Sequence, residues 1–278
     1  MRGALIQLTA SDDPAANLPV TRRFVEAAAR GGARFVLTPE VTNCVSASRA
    51  RQQEALQTEA ADRTLAALSQ VAADCAIWLL IGSLALKTGD ADGRFANRSF
   101  LIGPDGRVRA RYDKIHMFDV QVSPTETYRE SAGFRPGDKA VLAPTEFGPV
   151  GMTICYDLRF PQLYQRLAQA GARLLSVPAA FSPVTGAAHW EVLLRARAIE
   201  TGCYVLAPAQ TGTHEATRGR ARRTHGHSLV VSPWGEVILD AGTQPGVHFF
   251  DWDDTQVDEA RRKLPALSHV RAFEDPSR

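Results

Sequence analysis

Two hydrophobic patterns alternate along the chain, and together they predict its fold class. Short apolar runs bounded by glycine, proline or polar clusters occupy residues 4–8, 34–37, 77–84, 150–154, 174–177, 203–207 and 247–250. Runs of that length and boundary read as strands, most of them buried. Between them, apolar residues recur at helical spacing. Phe24, Val25 and Ala28 predict a helix over about 20–30 that stops at Gly31 and Gly32. Leu65, Leu68, Val71 and Ala72 predict a second. Leu163, Tyr164, Leu167 and Ala170, between Pro161 and Gly171, predict a third, with others near 188–200 and 255–264. Residues 97–102 and 107–112 read as a hairpin across Gly103–Gly106, and 229–231 with 237–239 as another around Ser232–Gly235. Strands that alternate with helices and hairpins imply α/β layers around mixed sheets. With no repeat, low-complexity linker or break in composition, residues 1–278 read as one domain. Its core is about 1–252, followed by a C-terminal helix and tail at about 253–278. Two stretches lack periodicity. Residues 41–58 read as a loop over a site, and 114–144 as irregular chain too long for an idle connection.

The net charge of +2 is close to balance, and no lysine or arginine run offers a nucleic-acid or membrane surface. Arg218, Arg220, Arg222 and Arg223 lie among threonine and glycine and read as a solvated loop. The chain opens into a strand without the apolar core of a signal peptide, and the run at 77–81 is too short to cross a bilayer. Four cysteines without paired spacing predict a reduced, cytoplasmic protein with no disulfide framework.

Candidate chemistry gathers at the carboxyl ends of predicted strands, where open α/β sheets place their sites. Glu40 follows the strand at 34–37, Lys114 ends the strand through Arg111 and Tyr112, and Cys155 ends the strand at 150–154 on the turn into a helix. A carboxylate can take a thiol proton, and an ammonium can stabilise both thiolate and oxyanion. Helix N-termini and cations favour thiolate, which makes Cys155 a candidate nucleophile. From its own stretch it reads equally well as a small packed apolar residue. Cys44 has no activating neighbour in sequence, while Cys75 and Cys203 read as core. His116, His189, His225 and His227 lack partner ligands at metal-binding spacing, so no metal is expected. Arg159 reads either as an ion-pair partner or as a bidentate ligand for a substrate carboxylate.

The blocks Thr38-Pro39-Glu40, Tyr112-Asp113-Lys114-Ile115-His116, Ile154-Cys155-Tyr156-Asp157-Leu158-Arg159-Phe160-Pro161 and Gly226-His227-Ser228 with Pro233-Trp234-Gly235 resemble the nitrilase, or carbon–nitrogen hydrolase, superfamily. The resemblance runs in order from Leu5 to about Leu267. It implies a four-layer α-β-β-α sandwich of two mixed sheets, a homodimer formed through the helix after the nucleophile, and a small amide substrate without a cofactor. It further implies Glu40 as general base, Lys114 with the Tyr156 N–H as oxyanion donors, and Cys155 as nucleophile. Glu130, ahead of Phe134-Arg135-Pro136-Gly137, is the implied second glutamate that orients the lysine and the substrate amide. The stretch 180–200 resembles the amidases acting on deaminated glutathione; the omega-amidases, acting on α-keto amides, share its Thr185-Gly186 and His189-Trp190 but differ in the helix that follows and are the first alternative. From that likeness Tyr156, Arg159, Thr185, His189 and Trp190 are the expected substrate contacts. Carbamoyl amide or nitrile hydrolysis, and a catalytically silent scaffold, are the remaining alternatives.

Overall fold

The computed structural model describes residues 1–123 and 126–275. In chain order the helices are α1 (Pro14–Arg30), α2 (Arg49–Ala55), α3 (Arg63–Asp74), α4 (Pro161–Gln169), α5 (Pro183–Thr201) and α6 (Thr255–Lys263). The first eight strands are β1 (Arg2–Gln7), β2 (Phe35–Leu37), β3 (Trp78–Lys87), β4 (Phe95–Ile102), β5 (Val108–Asp113), β6 (Asp119–Ser123), β7 (Glu126–Arg129) and β8 (Val141–Ala143). The rest are β9 (Val150–Met152), β10 (Leu174–Ser176), β11 (Tyr204–Ala207), β12 (Thr211–His214), β13 (Arg222–His225), β14 (Leu229–Val231), β15 (Val237–Asp240) and β16 (Gly246–Asp251).

One mixed sheet runs β16-β1-β2-β3-β4-β5 and the other β15-β14-β11-β10-β9-β8, with β6-β7 and β12-β13 as separate hairpins. Strand alternation explains the layering. Ala4, Ile6, Val36, Leu79, Ile81, Phe100 and Ile102 point one way, into a core completed by Val25 and Ala28 of α1 and Leu68 and Val71 of α3. Leu5, Phe35, Leu37, Leu80 and Leu101 point the other way and meet the second sheet and the α4 and α5 side chains. Both faces of β1–β4 are therefore buried, which is why these strands read as continuous apolar runs. The result is the α-β-β-α sandwich.

Several boundaries differ from the sequence reading, each for a local reason. Helix α1 starts at Pro14, capped by the Asp13 side chain on the Ala15 N–H at 3.0 Å, and carries Pro19 near its start instead of beginning after it. Helix α5 starts at Pro183 behind Ser182, whose hydroxyl accepts from Thr185 N–H at 3.3 Å; serine followed by proline is a start signal. Gly186 lets α5 lie against β13, because a Cβ there would stand 2.2 Å from the His225 ring. The stretch 41–58 contains α2, and 114–144 contains β6, β7 and β8. Pro124 and Thr125, within the latter, lie outside the described residues. The four arginines do not all share one solvated loop. Arg222 opens β13 and is half-buried.

Candidate active site

The carboxyl ends of β2 and β5 and the turn after β9 converge on one cavity of about 430 Å³. Its floor is polar, and each group comes from a different element. Glu40 is only 3% exposed. Its Oε1 accepts from Lys114 Nζ at 2.8 Å and from Asn97 Nδ2 at 2.9 Å, and its Oε2 from the Ala180 N–H at 2.9 Å. Lys114 Nζ also donates to both oxygens of Glu130, at 2.9 Å each. Glu130 is held in turn by the Phe118 N–H at 2.7 Å. Three carboxylate oxygens, one of Glu40 and two of Glu130, thus lie within hydrogen-bond distance of the ammonium.

Cys155 sits at the opening of a 3-10 turn, three residues past the end of β9, with φ +50°. A left-handed backbone is uncommon for a residue with a Cβ, and such conformations cluster at functional sites. The turn is held by the Cys155 N–H on the Pro178 carbonyl at 2.9 Å and by Asp157. That fully buried carboxylate accepts from the Ile154 N–H (2.9 Å), the Tyr112 hydroxyl (2.6 Å) and the His116 N–H (3.0 Å), and meets His116 Nδ1 at 2.6 Å. Asp157 thereby locks the nucleophile turn to the segment that carries Lys114. Burial and the Asp157 charge push the Tyr112 hydroxyl far above the usual range, so it remains a donor.

The electrostatics assign protonation states. Burial alone would raise Glu40, but the Lys114 charge and hydrogen bond, with Arg222 and the Cys155 thiol, hold it below the ordinary glutamate range. Burial alone would lower Lys114, yet Glu130 and Glu40 raise it above the usual lysine range, which excludes it as a base at neutral pH. Burial pushes the Cys155 thiol well above its ordinary range and Glu40 adds to the rise; Lys114 and the Ala180 N–H offset only part. Burial beside a carboxylate thus favours the protonated thiol more than the nearby ammonium favours thiolate, consistent with Glu40 as the group that takes the Cys155 proton. Cys44 also borders the cavity, but burial pushes its thiol up to about 12.

Of the sequence-predicted residues, Glu40, Lys114, Glu130, Cys155, Tyr156 and Thr185 border the cavity. Arg159, His189 and Trp190 do not. Arg159 lies behind the wall, 5.9 Å from the Tyr156 ring centroid and 5.8 Å from that of Phe181, and its Nη2 is 3.2 Å from Nδ1 of the exposed His189. Trp190 is buried against Phe181 at 4.8 Å and donates its indole N–H to the His227 carbonyl at 2.7 Å. Sequence reasoning missed Asn97, Asp157 and Arg222. Asn97 carried a signal, since it shares the inward phase of Leu101 on an apolar strand. Among the described residues, no group of three His, Cys, Asp or Glu side chains is arranged to hold a metal ion. Nor is any helix long and apolar enough to cross a membrane.

A family model for carbon-nitrogen hydrolases matches residues 2–262. The chain belongs to the carbon-nitrogen hydrolase family. It is therefore a hydrolase acting on carbon–nitrogen bonds other than peptide bonds. Among its curated relatives, a deaminated glutathione amidase of Synechocystis sp. is 38% identical over 268 residues, covering 96% of each chain. The omega-amidase NIT2 of Homo sapiens is 37% identical over 273 residues, covering 98% of this chain and 95% of that one. Among solved structures, the C. elegans NitFhit protein superposes with a TM-score of 0.89 at 35% identity, over 97% of this chain and 65% of that longer one. The amidase from Nesterenkonia sp. AN1, solved with acrylamide added at its active-site cysteine, superposes with a TM-score of 0.76 at 26% identity, over 95% of this chain and 98% of that one.

Proposed function

We propose that this carbon–nitrogen hydrolase cleaves deaminated glutathione through a cysteine thioester, with Glu40, Lys114, Cys155 and Glu130 as its machinery. The observation that carries the chemistry is the buried Lys114 held between Glu40 and Glu130 beside a thiol on a left-handed turn. As Cys155 Sγ attacks the amide carbonyl, its proton passes to Glu40, the adjacent ionised carboxylate. The oxyanion meets the Lys114 ammonium and the Tyr156 N–H, the second N–H of the 3-10 turn. Glu40 then returns the proton to the leaving amine as the C–N bond breaks. In the second half, Glu40 takes a proton from water, the hydroxyl adds to the thioester, and Cys155 recovers its thiol as the acid leaves. Glu130 keeps Lys114 charged and aimed.

The substrate is inferred from the deaminated glutathione amidases among the relatives, which cover nearly the full length of the chain. Thr185, at the wall, is the proposed contact for the keto-acid end, and Arg159, outside the lining, supports Tyr156 and Phe181 from behind. Turnover of deaminated glutathione, with a Cys155 acyl adduct seen by mass spectrometry, tests both parts. An adduct on no substrate would point to a silent scaffold. The second reading, an omega-amidase, draws on the likeness to the human enzyme; it replaces the first if an α-keto amide turns over while deaminated glutathione is inert. A cytoplasmic, single-domain homodimer completes the proposal. Four free cysteines support a reducing compartment, and exposed Val192 and Ile199 on α5 support pairing on the α4/α5 layer.

A further inference from the structure

Two carboxylates border the cavity, Glu40 and Glu130, against four cations: Lys114, Arg49, Arg129 and Arg222. Lys114 is consumed by the two carboxylates, so the remainder of the wall carries an excess of positive charge suited to an anionic substrate. The three arginines are not equivalent. Arg49 is anchored by the Gly93 and Gly133 carbonyls and lies over the Phe95 ring at 4.2 Å. Arg129 is exposed, with its Nη1 3.3 Å from the Tyr128 carbonyl. Arg222 alone is tied to the reacting groups. Its Nη2 donates at 2.6 Å to the carbonyl of Ala180, the same residue whose N–H binds Glu40 Oε2 at 2.9 Å. No carboxylate among the described residues lies within ion-pair distance of Arg222, and its Nε is buried without a hydrogen-bond partner. A half-buried guanidinium that the fold itself leaves under-satisfied calls for an explanation.

Glu40 defines the direction. It protonates the departing amine, so the leaving group lies on the Glu40 side of the scissile carbon, where Ala180 joins Glu40 to Arg222. Arg159 stands on the Tyr156 and Phe181 side. We infer that Arg222 anchors a carboxylate on the amine leaving group, and so selects peptide-like leaving groups ending in an acid over ammonia. The inference rests on the amidase reading above and deepens it, because deaminated glutathione carries a carboxylate at each end. The planar fork of arginine matches a carboxylate bidentately, whereas glutamine keeps hydrogen-bonding capacity without charge.

The experiment compares wild type, Arg222→Gln, Arg222→Lys and, as a control for the general field, Arg129→Gln. The three substrates are deaminated glutathione, its C-terminal carboxamide, and α-ketoglutaramate, whose leaving group is ammonia. Wild type should favour the acid over its carboxamide by about tenfold or more in kcat/KM, chiefly through KM, as expected for a charge-assisted pair. Arg222→Gln should erase that preference, any loss transmitted through Glu40 falling equally on α-ketoglutaramate and the carboxamide, and Arg222→Lys should keep part of it. Equal losses on all three substrates would mean that Arg222 acts only through Ala180 and Glu40, and a retained preference would remove the anchor. A second readout is independent of amide turnover: the ratio of iodoacetate to iodoacetamide alkylation at Cys155, read by peptide mass spectrometry. It should fall on the order of tenfold in Arg222→Gln and little in Arg129→Gln. An unchanged ratio overturns the anion site. A fallen ratio with no amide hydrolysed leaves the site standing and sinks the amidase reading instead.

Discussion

The floor and the rim of the cavity are built on opposite principles. On the floor, Glu40, Lys114 and Asp157 are buried and Glu130 is half-buried, and each is held by two or more partners from other elements. At the rim, Arg49, Arg129 and Arg222 are held by backbone carbonyls and pair with no carboxylate among the described residues. Buried charges are costly unless paired, so the floor admits one arrangement and one chemistry. Rim charges retain water and keep bonding capacity for a substrate. The difference separates what the enzyme does from what it acts on, and substitutions in the two regions should fail differently.

The largest effect should come from Cys155→Ala, which removes the thiol beside Glu40. Hydrolysis should drop by at least about 10³-fold, with little change in the thermal midpoint, because the side chain is small and borders the cavity. Substantial residual rate would move the nucleophile elsewhere. Lys114→Met strikes the floor at its centre, leaving buried Glu40 and half-buried Glu130 without their cation. We expect turnover to fall by about 10²–10³-fold and stability by on the order of 3–5 kcal/mol. Both Glu40 and Cys155 should then titrate higher. Glu40 in wild type lies below its ordinary value of 4.5, so its contribution to stability is present above that pH and is lost as pH falls through its folded value. In Lys114→Met the acid limb of any remaining activity should shift upward. Alkylation of Cys155 against pH checks the thiol directly, and superimposable profiles would dissociate the lysine from it.

Glu130→Gln should be milder. It keeps an acceptor for the Phe118 N–H but weakens the hold on Lys114, so a loss of about 10–100-fold in kcat with a nearly intact fold is expected. Wild-type kinetics would reduce Glu130 to a spectator. The smallest effect on rate should come from the support behind the rim. His214, on β12, joins the Ala10 carbonyl to the Thr224 hydroxyl at 2.7 Å each, which fastens the hairpin that carries Arg222. Burial lowers His214 from 6.5 to about 4. The unfolded chain therefore binds its proton first, and stability present above pH 6.5 is lost as pH falls toward 4. The loss amounts to about 3 kcal/mol at most. His214→Gln should flatten the thermal midpoint across that window and leave turnover at neutral pH within about twofold. An unaltered slope would assign the acid sensitivity to other groups.

Much of this was legible in the chain itself, because some signals are local. Apolar runs marked β1–β4 and the β9–β11 core, helical spacing marked α3 and α4, and three motifs placed Glu40, Lys114 and Cys155 at strand ends. Serine before Pro183 held the true start of α5, and the inward phase of Asn97 marked a polar residue facing the inter-sheet layer. What only the tertiary structure decided depends on neighbours far apart in sequence. Glu40 meets Lys114 across 74 positions and the Ala180 N–H across 140. The upward shift of the Cys155 thiol follows from burial and that carboxylate, not from its own turn. Likewise, no periodicity tells that Trp190 turns into the core while Arg222, in a run of arginines that resembles a solvated loop, turns toward Ala180 and the cavity. Local pattern sets the elements, but desolvation and charge act through space, and they are what make a site.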